Sequence, residues 1–569
     1  MRKQTKLVAV LSTAALLAIG ASMTSFAAQG WAEEDGTWVY YDRNGDRVTD
    51  KWAKSGNNWY YLDSDGEMAI DTLIEDGDNY YYVDINGVMA SNQWVAIDNE
   101  DAGEDDEPEH YWYYFQANGK ALKNSGDNIA LKTINGKKYA FDDEGKMLYG
   151  WVASDNAERI DNTDGDAFKD GVYYFGGEDD GAMTVGWLQM DITYDEATND
   201  YEIAPVFNDD EDQSRWFYFK SNGKKVQSDS SDDTKEKTIN GKKYAFDQYG
   251  AMVAEWSLDI AKATSNLGTN STAAVEKKGN SAQYSRAWRY FNSVEDGARV
   301  SKGWFKVVAA EYLNEGKYND DEDAWYYADG SGNLYAGEFK TIKGKKYAFR
   351  NDGRMVNGLK FINETNMSVV ADDDDDHPFD TEDDFIASAE WFNKNDYLCY
   401  YFGDGNDGAM KTNKTTIAID GDNFNFYFEK SGSKKGSGVN GEKDDKYYLA
   451  GMLLKAGSDE KYQAIQEVTT AGKAETWKKL DDAQEVLTVV TPTSSTVTEA
   501  NVAAAKAAAS SFNKKAEDLK ELYVLPANTL KLINTSGKVI DKKGKSKDGN
   551  DYVYVTDNSG VIRVIYVED

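Results

Sequence analysis

The chain has 569 residues, with 63 Lys and Arg against 100 Asp and Glu and a formal charge of −37. Such a charge repels nucleic acid and anionic lipid surfaces and draws cations, whether metal ions or cationic groups on a polymer. Aromatic residues make up 13%, with 38 Tyr and 15 Trp beside 49 Gly and 5 Pro, and the single cysteine, Cys399, excludes an intramolecular disulfide.

Residues 1–27 read as a secretory signal peptide. Arg2, Lys3 and Lys6 form the charged region, Leu7 to Ala21 the apolar core, and Ser25-Phe26-Ala27 the cleavage site before Ala28. A retained membrane anchor is the rival reading, but the apolar run is shorter than the roughly 20 residues a spanning helix needs. Membrane insertion is not expected downstream.

From Gly30 the sequence repeats. Trp31, Trp38 and Gly45 become Trp52, Trp59 and Gly66, and Gly87 follows after the same interval. A short fixed period predicts stacked units rather than one globular core. In residues 51–68 a strand carrying Trp52 meets a turn at Ser55-Gly56-Asn57. A second strand, Trp59 to Leu62, ends in the turn Asp63-Ser64-Asp65-Gly66. Trp59 and Tyr61 face one way, Tyr60 and Leu62 the other. The expected fold is all-β, a solenoid of about 14 stacked hairpins over residues 28–455.

The units are of two kinds. Trp units carry the pairs Trp94/Trp112, Trp187/Trp216, Trp256/Trp288 and Trp304/Trp325; Lys-Lys units begin at Thr133, Thr238 and Thr341. Extra length falls at hairpin tips and is expected to decorate one face. Several tips are acidic, and both histidines, His110 and His377, lie beside acidic runs. No cofactor is expected. Asp63-Ser64-Asp65-Gly66 and the run from Asp161 to Asp166 suggest calcium only weakly, since both lack the spaced Glu of a helix-loop-helix site.

Residues 456–525 break the pattern. Val502, Ala505, Ala509, Phe512, Ala516, Leu519 and Tyr523 step by threes and fours, a helical seam that Thr498 would cap. Trp477, Leu480 and Leu487 suggest a shorter partner helix. A helical hairpin packed on the solenoid is expected, with a dimerising coil as the alternative. Hairpin repeats resume over residues 526–569.

The unit Gly-Trp-x-turn-Trp-Tyr-Tyr-x-Asp-x-x-Gly-x-Met resembles the cell-wall-binding repeats of choline-binding proteins. It is also similar to the glucan-binding repeats of extracellular glucosyltransferases, and the Lys-Lys units resemble short repeats of glucosylating toxins. The choline-binding resemblance implies a cage of two aromatics from one hairpin and one from the next, holding a quaternary ammonium by cation–π attraction. Carried over, it implies Trp31 and Trp38 with Tyr61, Trp52 and Trp59 with Tyr82, and Trp256 and Trp288 with Tyr327. After the other Trp pairs, Ala140, Ala245 or Ala348 takes the tyrosine's place, and Lys138, Lys243 or Lys346 the tryptophan's. Trp94, Trp112, Trp187, Trp216, Trp304 and Trp325 therefore read as weaker open pairs, suited to stacking on a sugar. In the unit of Trp151, Val172 replaces the second Trp.

The expected function is a secreted bacterial surface protein without catalysis. It would bind cell-wall polysaccharide, glucan or choline-bearing teichoic acid non-covalently through many sites. The alternative is a glycan-active enzyme, or a toxin-like receptor-binding protein, that uses the repeats for targeting.

Overall fold

The computed structural model describes residues 29–103, 107–192, 213–230, 233–268, 281–469, 475–541, 545–548 and 550–569. The signal-peptide reading and parts of four hairpin tips lie outside these. The chain divides into two units, residues 1–197, 208–227 and 248–251, and residues 198–207, 228–247 and 252–569.

Among the described residues, eleven two-stranded antiparallel hairpins follow one another from Gly30 to Phe349. Strands Leu359–Asn363 and Tyr397–Tyr401 form a twelfth, Asn413–Ile419 and Asp422–Phe428 a thirteenth, and Gly441–Lys443 and Lys446–Leu449 a fourteenth. The expected repeat of stacked hairpins is the fold observed within each unit.

Local chemistry fixes each hairpin. Asp35-Gly36 joins the first two strands with φ of 48° and 88°, and Asn135-Gly136 does the same with 50° and 84°. Two left-handed residues give the turn whose twist matches the flanking strands. After the second strand an aspartate ends the unit. The Asp63 carboxylate accepts the N–H groups of Asp65 at 3.0 Å and Glu67 at 2.8 Å. That bonding, and the Asp161 carboxylate accepting Thr163 N–H at 2.8 Å, makes these acids turn acceptors.

Stacking then ties the units. The residue after each second turn donates its N–H to a strand carbonyl of the hairpin before. Met68 bonds Trp38 at 2.7 Å, Met89 bonds Trp59 at 2.9 Å, Met147 bonds Trp112 at 2.7 Å, and Met355 bonds Trp325 at 2.7 Å. Each methionine side chain runs on beneath the turn glycine of the following unit. At Gly119 (φ 80°), a Cβ would stand 2.4 Å from Met89 Sδ. Glycine is required there twice over, by conformation and by space.

Tip insertions do more than decorate. Between Trp256 and Trp288 the helix Ile260–Leu267 and the turn Ala282–Ser285 fold back, burying Ile260, Ala263 and Tyr284 against both tryptophans. Between Phe361 and Cys399 the helix Glu382–Lys394 buries Phe385, Ala389 and Phe392 on its own hairpin.

The C-terminal region departs from expectation. The seam from Val502 is α-helical only over Glu499–Ala508, capped by Thr498, with Ala516 in a separate short 3-10 turn, Ala516–Asp518. Leu519 and Tyr523 lie in a strand, Leu519–Val524, paired with Ile562–Glu568. Trp477 and Leu480 also lie in a strand, Thr476–Leu480, paired with Tyr462–Val468, and only Leu487 is helical, within Ala483–Val489. Residues 456–525 are therefore a mixed sheet-and-helix segment and not a helical hairpin.

One turn is electrostatically costly. Burial pushes the Asp142 carboxyl up to about 6 from 3.8, against the opposing pull of the Lys146 N–H and ammonium. A carboxylate whose folded pKa is raised loses stability as pH climbs from about 4 to about 6. At the matching turn position of the C-terminal region, Asn534 accepts Ser536 and Lys538 N–H with the same geometry and no charge. Asp142→Asn should therefore raise the melting temperature at pH 8 and give no gain at pH 4. Calorimetry at the two pH values measures it, and an equal shift at both would refute the assignment.

Candidate functional site

Hairpins stack face to back. The outward face of one, bearing its tryptophans, meets the inward face of the next. In strand Asn58–Leu62 Trp59 is 40% exposed while Tyr60 and Leu62 are buried. The aromatic that reaches a Trp pair must come from the inward set of the following hairpin, one residue before the tyrosine expected from sequence.

The structure places that residue directly. Trp52 packs on Tyr81 of the next hairpin at 5.0 Å and on Tyr61 of its own at 5.1 Å. Trp31 packs on Tyr60 at 5.2 Å. Tyr82 turns away, stacking on Phe115 at 6.1 Å and donating its hydroxyl to Asp71. Tyr61 thus serves its own hairpin's site, and Tyr82 serves none.

The same shift corrects the Lys-Lys units. Ala140 and Ala348 do fill the expected tyrosine position, yet the residues before them are Tyr139 and Tyr347. Trp94 packs on Tyr139 at 4.9 Å with Trp112 at 6.5 Å; Trp304 packs on Tyr347 at 4.8 Å with Trp325 at 6.3 Å. These are sites of two tryptophans, a tyrosine and a methionine, equivalent to the first two. Lys346 lies elsewhere, its ammonium 4.5 Å over the Phe339 ring of its own hairpin. Trp187 and Trp216 keep the same pair geometry, 6.2 Å apart at 89°.

The third expected cage is closed. Trp256 and Trp288 are 7% and 1% exposed, and Trp256 Nε1 donates to Val308 O at 2.8 Å. Trp256 packs on Tyr326, again the residue before the expected Tyr327, which stacks on Tyr335 instead. This pair is core.

Around Trp52 and Trp59 lies a cleft of about 790 Å³ lined also by Tyr81, Met89, Asn57, Asn58 and Asn118. That is ample for a small ligand. Trp52 Nε1 donates to Asp76 at 3.1 Å, and the Lys54 ammonium lies 5.6 Å over the Trp59 ring. Burial raises the Tyr81 phenol, and Asp76 adds to the rise; burial likewise raises Tyr347. Both stay neutral at physiological pH. At the Trp94/Trp112 site the Asp179 carboxylate accepts Trp112 Nε1 at 3.2 Å and stands 3.1 Å from His110 Nε2.

One unit carries its own cation. Trp151 is buried, and the Lys225 ammonium, at the position methionine takes elsewhere, lies 5.1 Å over its ring and 5.9 Å over Phe217.

Among the described residues no cluster of three or more His, Cys, Asp or Glu is arranged to hold a metal ion. Among them too, no helix is long and apolar enough to cross a membrane.

Tandem hairpins whose interfaces gather aromatic rings from both sides define an aromatic-site repeat protein. The N-terminal hairpins match the family model described as choline-binding repeat, over residues 28–72 and 48–94. Among curated proteins, Glucosyltransferase-S of Streptococcus mutans is 24% identical over 247 residues, 43% of this chain. The chain spans 11% of that relative's length. Among solved structures, choline binding protein F of Streptococcus pneumoniae, crystallised with a peptidoglycan analogue, is 18% identical; the match covers 73% of this chain and 100% of that one, with a TM-score of 0.30. CbpJ of the same species is 16% identical over 72% of this chain and 100% of that one, with a TM-score of 0.31. The modular autolysin LytC, also from Streptococcus pneumoniae, is 20% identical over 59% and 54%, with a TM-score of 0.29.

Two expected outcomes separate site from scaffold. Tyr81→Ala should weaken choline-induced change in tryptophan fluorescence at the Trp52/Trp59 site by about tenfold, the order of one desolvated cation–π contact. Tyr82→Ala should leave it unchanged. Trp288→Ala should cost about 3–5 kcal/mol in chemical unfolding, as for a buried aromatic, with ligand response retained. A large loss of binding with Trp288→Ala and intact folding would contradict the closed core.

Proposed function

We propose that this chain is a secreted, surface-retained protein that binds choline-bearing wall polymer non-covalently through several aromatic sites. The observation that carries the reading is the recurrence of one constellation. Trp52/Trp59/Tyr81, Trp94/Trp112/Tyr139 and Trp304/Trp325/Tyr347 each join rings from two hairpins beside a methionine, and Trp31 packs on Tyr60 of the next hairpin in the same way. A quaternary ammonium has no N–H to satisfy and is held by ring faces and apolar contact, which these groups supply. The ammonium of Lys225 over Trp151 supports a cation as the natural occupant. The chain's net negative charge adds long-range attraction.

Each site is small and open, so one alone should bind in the millimolar range, about −4 kcal/mol. A polymer presenting many copies can raise avidity by roughly 10²–10⁴ through linkage. The function follows from the row of sites and needs no catalytic step.

A second reading rests on the amide-rich rim of the Trp52/Trp59 cleft, where Asn57, Asn58 and Asn118 could bond sugar hydroxyls. In that reading the repeats target a glucan and belong with a glycan-active enzyme, as the name of the Streptococcus mutans relative suggests.

Binding to purified walls decides between them. Walls bearing choline should retain the protein, walls bearing ethanolamine in its place should not, and free choline at tens of millimolar should elute it. Retention on both walls, with elution by soluble glucan alone, would favour the second reading. Turnover of peptidoglycan or glucan would overturn the non-catalytic one.

A further inference from the structure

Asparagine followed by glycine is chemically labile. The glycine nitrogen attacks the asparagine side-chain carbonyl carbon, and no Cβ on the glycine obstructs it. The new N–C bond forms as the C–NH2 bond breaks, and ammonia leaves with the proton of the glycine nitrogen. Water then opens the cyclic imide at either carbonyl, giving aspartate or isoaspartate. The step needs a glycine N–H that no acceptor holds, a carboxamide free to turn, and access to water.

The chain has eight Asn-Gly steps, all among the described residues, and six are held. At Asn44, Asn86, Asn118 and Asn222 the glycine N–H donates to the carbonyl three residues back, at 3.1, 2.7, 2.9 and 2.8 Å. Asn118 and Asn222 also accept the N–H groups of Lys120 and Lys224. Gly358 N–H donates to Gly403 O at 2.7 Å, and the Asn357 carboxamide to Gly405 O at 2.9 Å. The Asn440 carboxamide accepts Ala450 N–H at 2.6 Å and donates to Asn393 at 3.0 Å.

Asn135 and Asn240 differ. Each opens the two-residue turn of a Lys-Lys hairpin, and each is exposed together with its glycine. Among the described residues neither carboxamide has a hydrogen-bond partner, and neither Gly136 nor Gly241 N–H has an acceptor. The space about both glycines is open. The third Lys-Lys hairpin makes the same turn, with φ of 47° and 82°, but places Lys343 before Gly344 and has no amide to lose. The two labile turns are also unequal. A closed turn keeps the glycine nitrogen off the carboxamide carbon, so the ring forms when the hairpin end opens. Three strand pairs close the turn at Asn135, and five close the turn at Asn240. The shorter hairpin opens at lower cost.

We propose that Asn135 and Asn240 are the sites at which this chain deamidates to isoaspartate, Asn135 the faster, and that the fold keeps the other six Asn-Gly steps as amides. Isoaspartate adds a methylene to the main chain and a negative charge, in a turn built for two left-handed residues. At Asn135 the hairpin affected is the one that brings Tyr139 to Trp94. Tyr347 reaches Trp304 from a hairpin that cannot age in this way. Of two matching aromatic interfaces, one therefore has a chemical lifetime set by its turn, whatever it binds.

The test ages the full chain in mildly alkaline buffer at physiological temperature. Heavy-oxygen water marks only the conversions that occur during ageing. Peptides are then read by mass spectrometry, and isoaspartate by methyltransferase labelling. Asn135 should convert first, and Asn240 about threefold to tenfold more slowly, the effect of two further cross-strand pairs on opening. The six held steps should stay amides over the same period. In urea all eight should convert at similar rates, because the fold and not the neighbouring sequence sets the order. Asn135→Gly keeps the turn, since glycine adopts the left-handed conformation freely, and should remove the fast conversion while leaving the rate at Asn240 unchanged. Conversion at any held step ahead of Asn240, or the same order of sites in urea as in buffer, would overturn the proposal. So would an Asn135 that stays an amide in buffer for as long as the urea-treated chain takes to convert.

Discussion

The hydrogen bond from the residue after each turn to the strand carbonyl of the preceding hairpin is the constraint on which the rest depends. A lone two-stranded hairpin is marginal in water. The bond from Met89 to Trp59, and its counterparts, sets each hairpin at one height and one rotation against its neighbour. Once the offset is fixed, outward rings of one unit face inward rings of the next. An aromatic site then forms where the outward positions are both tryptophan and no tip insertion covers them, as one does at Trp256 and Trp288.

The same geometry explains how one scaffold yields different interfaces. With Trp at both outward positions the interface has an accessible site, as at Trp304 and Trp325. With Lys346 in the second position, the ammonium lies on Phe339 and the interface is plain packing. With Val172 there, an internal lysine occupies the ring face of Trp151. With the tip helix Ile260–Leu267 folded over it, a Trp pair becomes core. Single residues and single insertions switch an interface between an open aromatic cleft and closed packing, while the backbone tie stays the same.

Much of this was legible from sequence. The spacing of tryptophans and turn glycines gave the hairpins. Strand alternation placed Tyr60 and Tyr61 on opposite faces correctly. It could not say that stacking is face to back, and the third ring was therefore assigned one residue too late, to Tyr61, Tyr82 and Tyr327. That slip also hid Tyr139 and Tyr347, which stand beside the alanines that appeared to empty those cages. The closing of Trp256 and Trp288 had a readable signal: Asp259 as a helix cap before Ile260, Ala263 and Leu267 at helical spacing. The seam from Val502 to Tyr523 misled for another reason. Leu519 and Tyr523 fit a helical period by coincidence, and their strand exists because Ile562–Glu568, some forty residues on, pairs with it. No local pattern carries that information.

Because each site is shared by two hairpins, no hairpin owns one. A ligand in the Trp52/Trp59/Tyr81 cleft touches both sides of a seam, and opening that seam must release it. Occupancy then adds to the cohesion of the stack by mass action, seam by seam. If the chain binds a polymer as proposed, it would be riveted at intervals by what it holds, and a free chain would not. The attached form should for that reason be the harder one for a protease to unzip, and such a polymer would serve as an external part of the protein's own core.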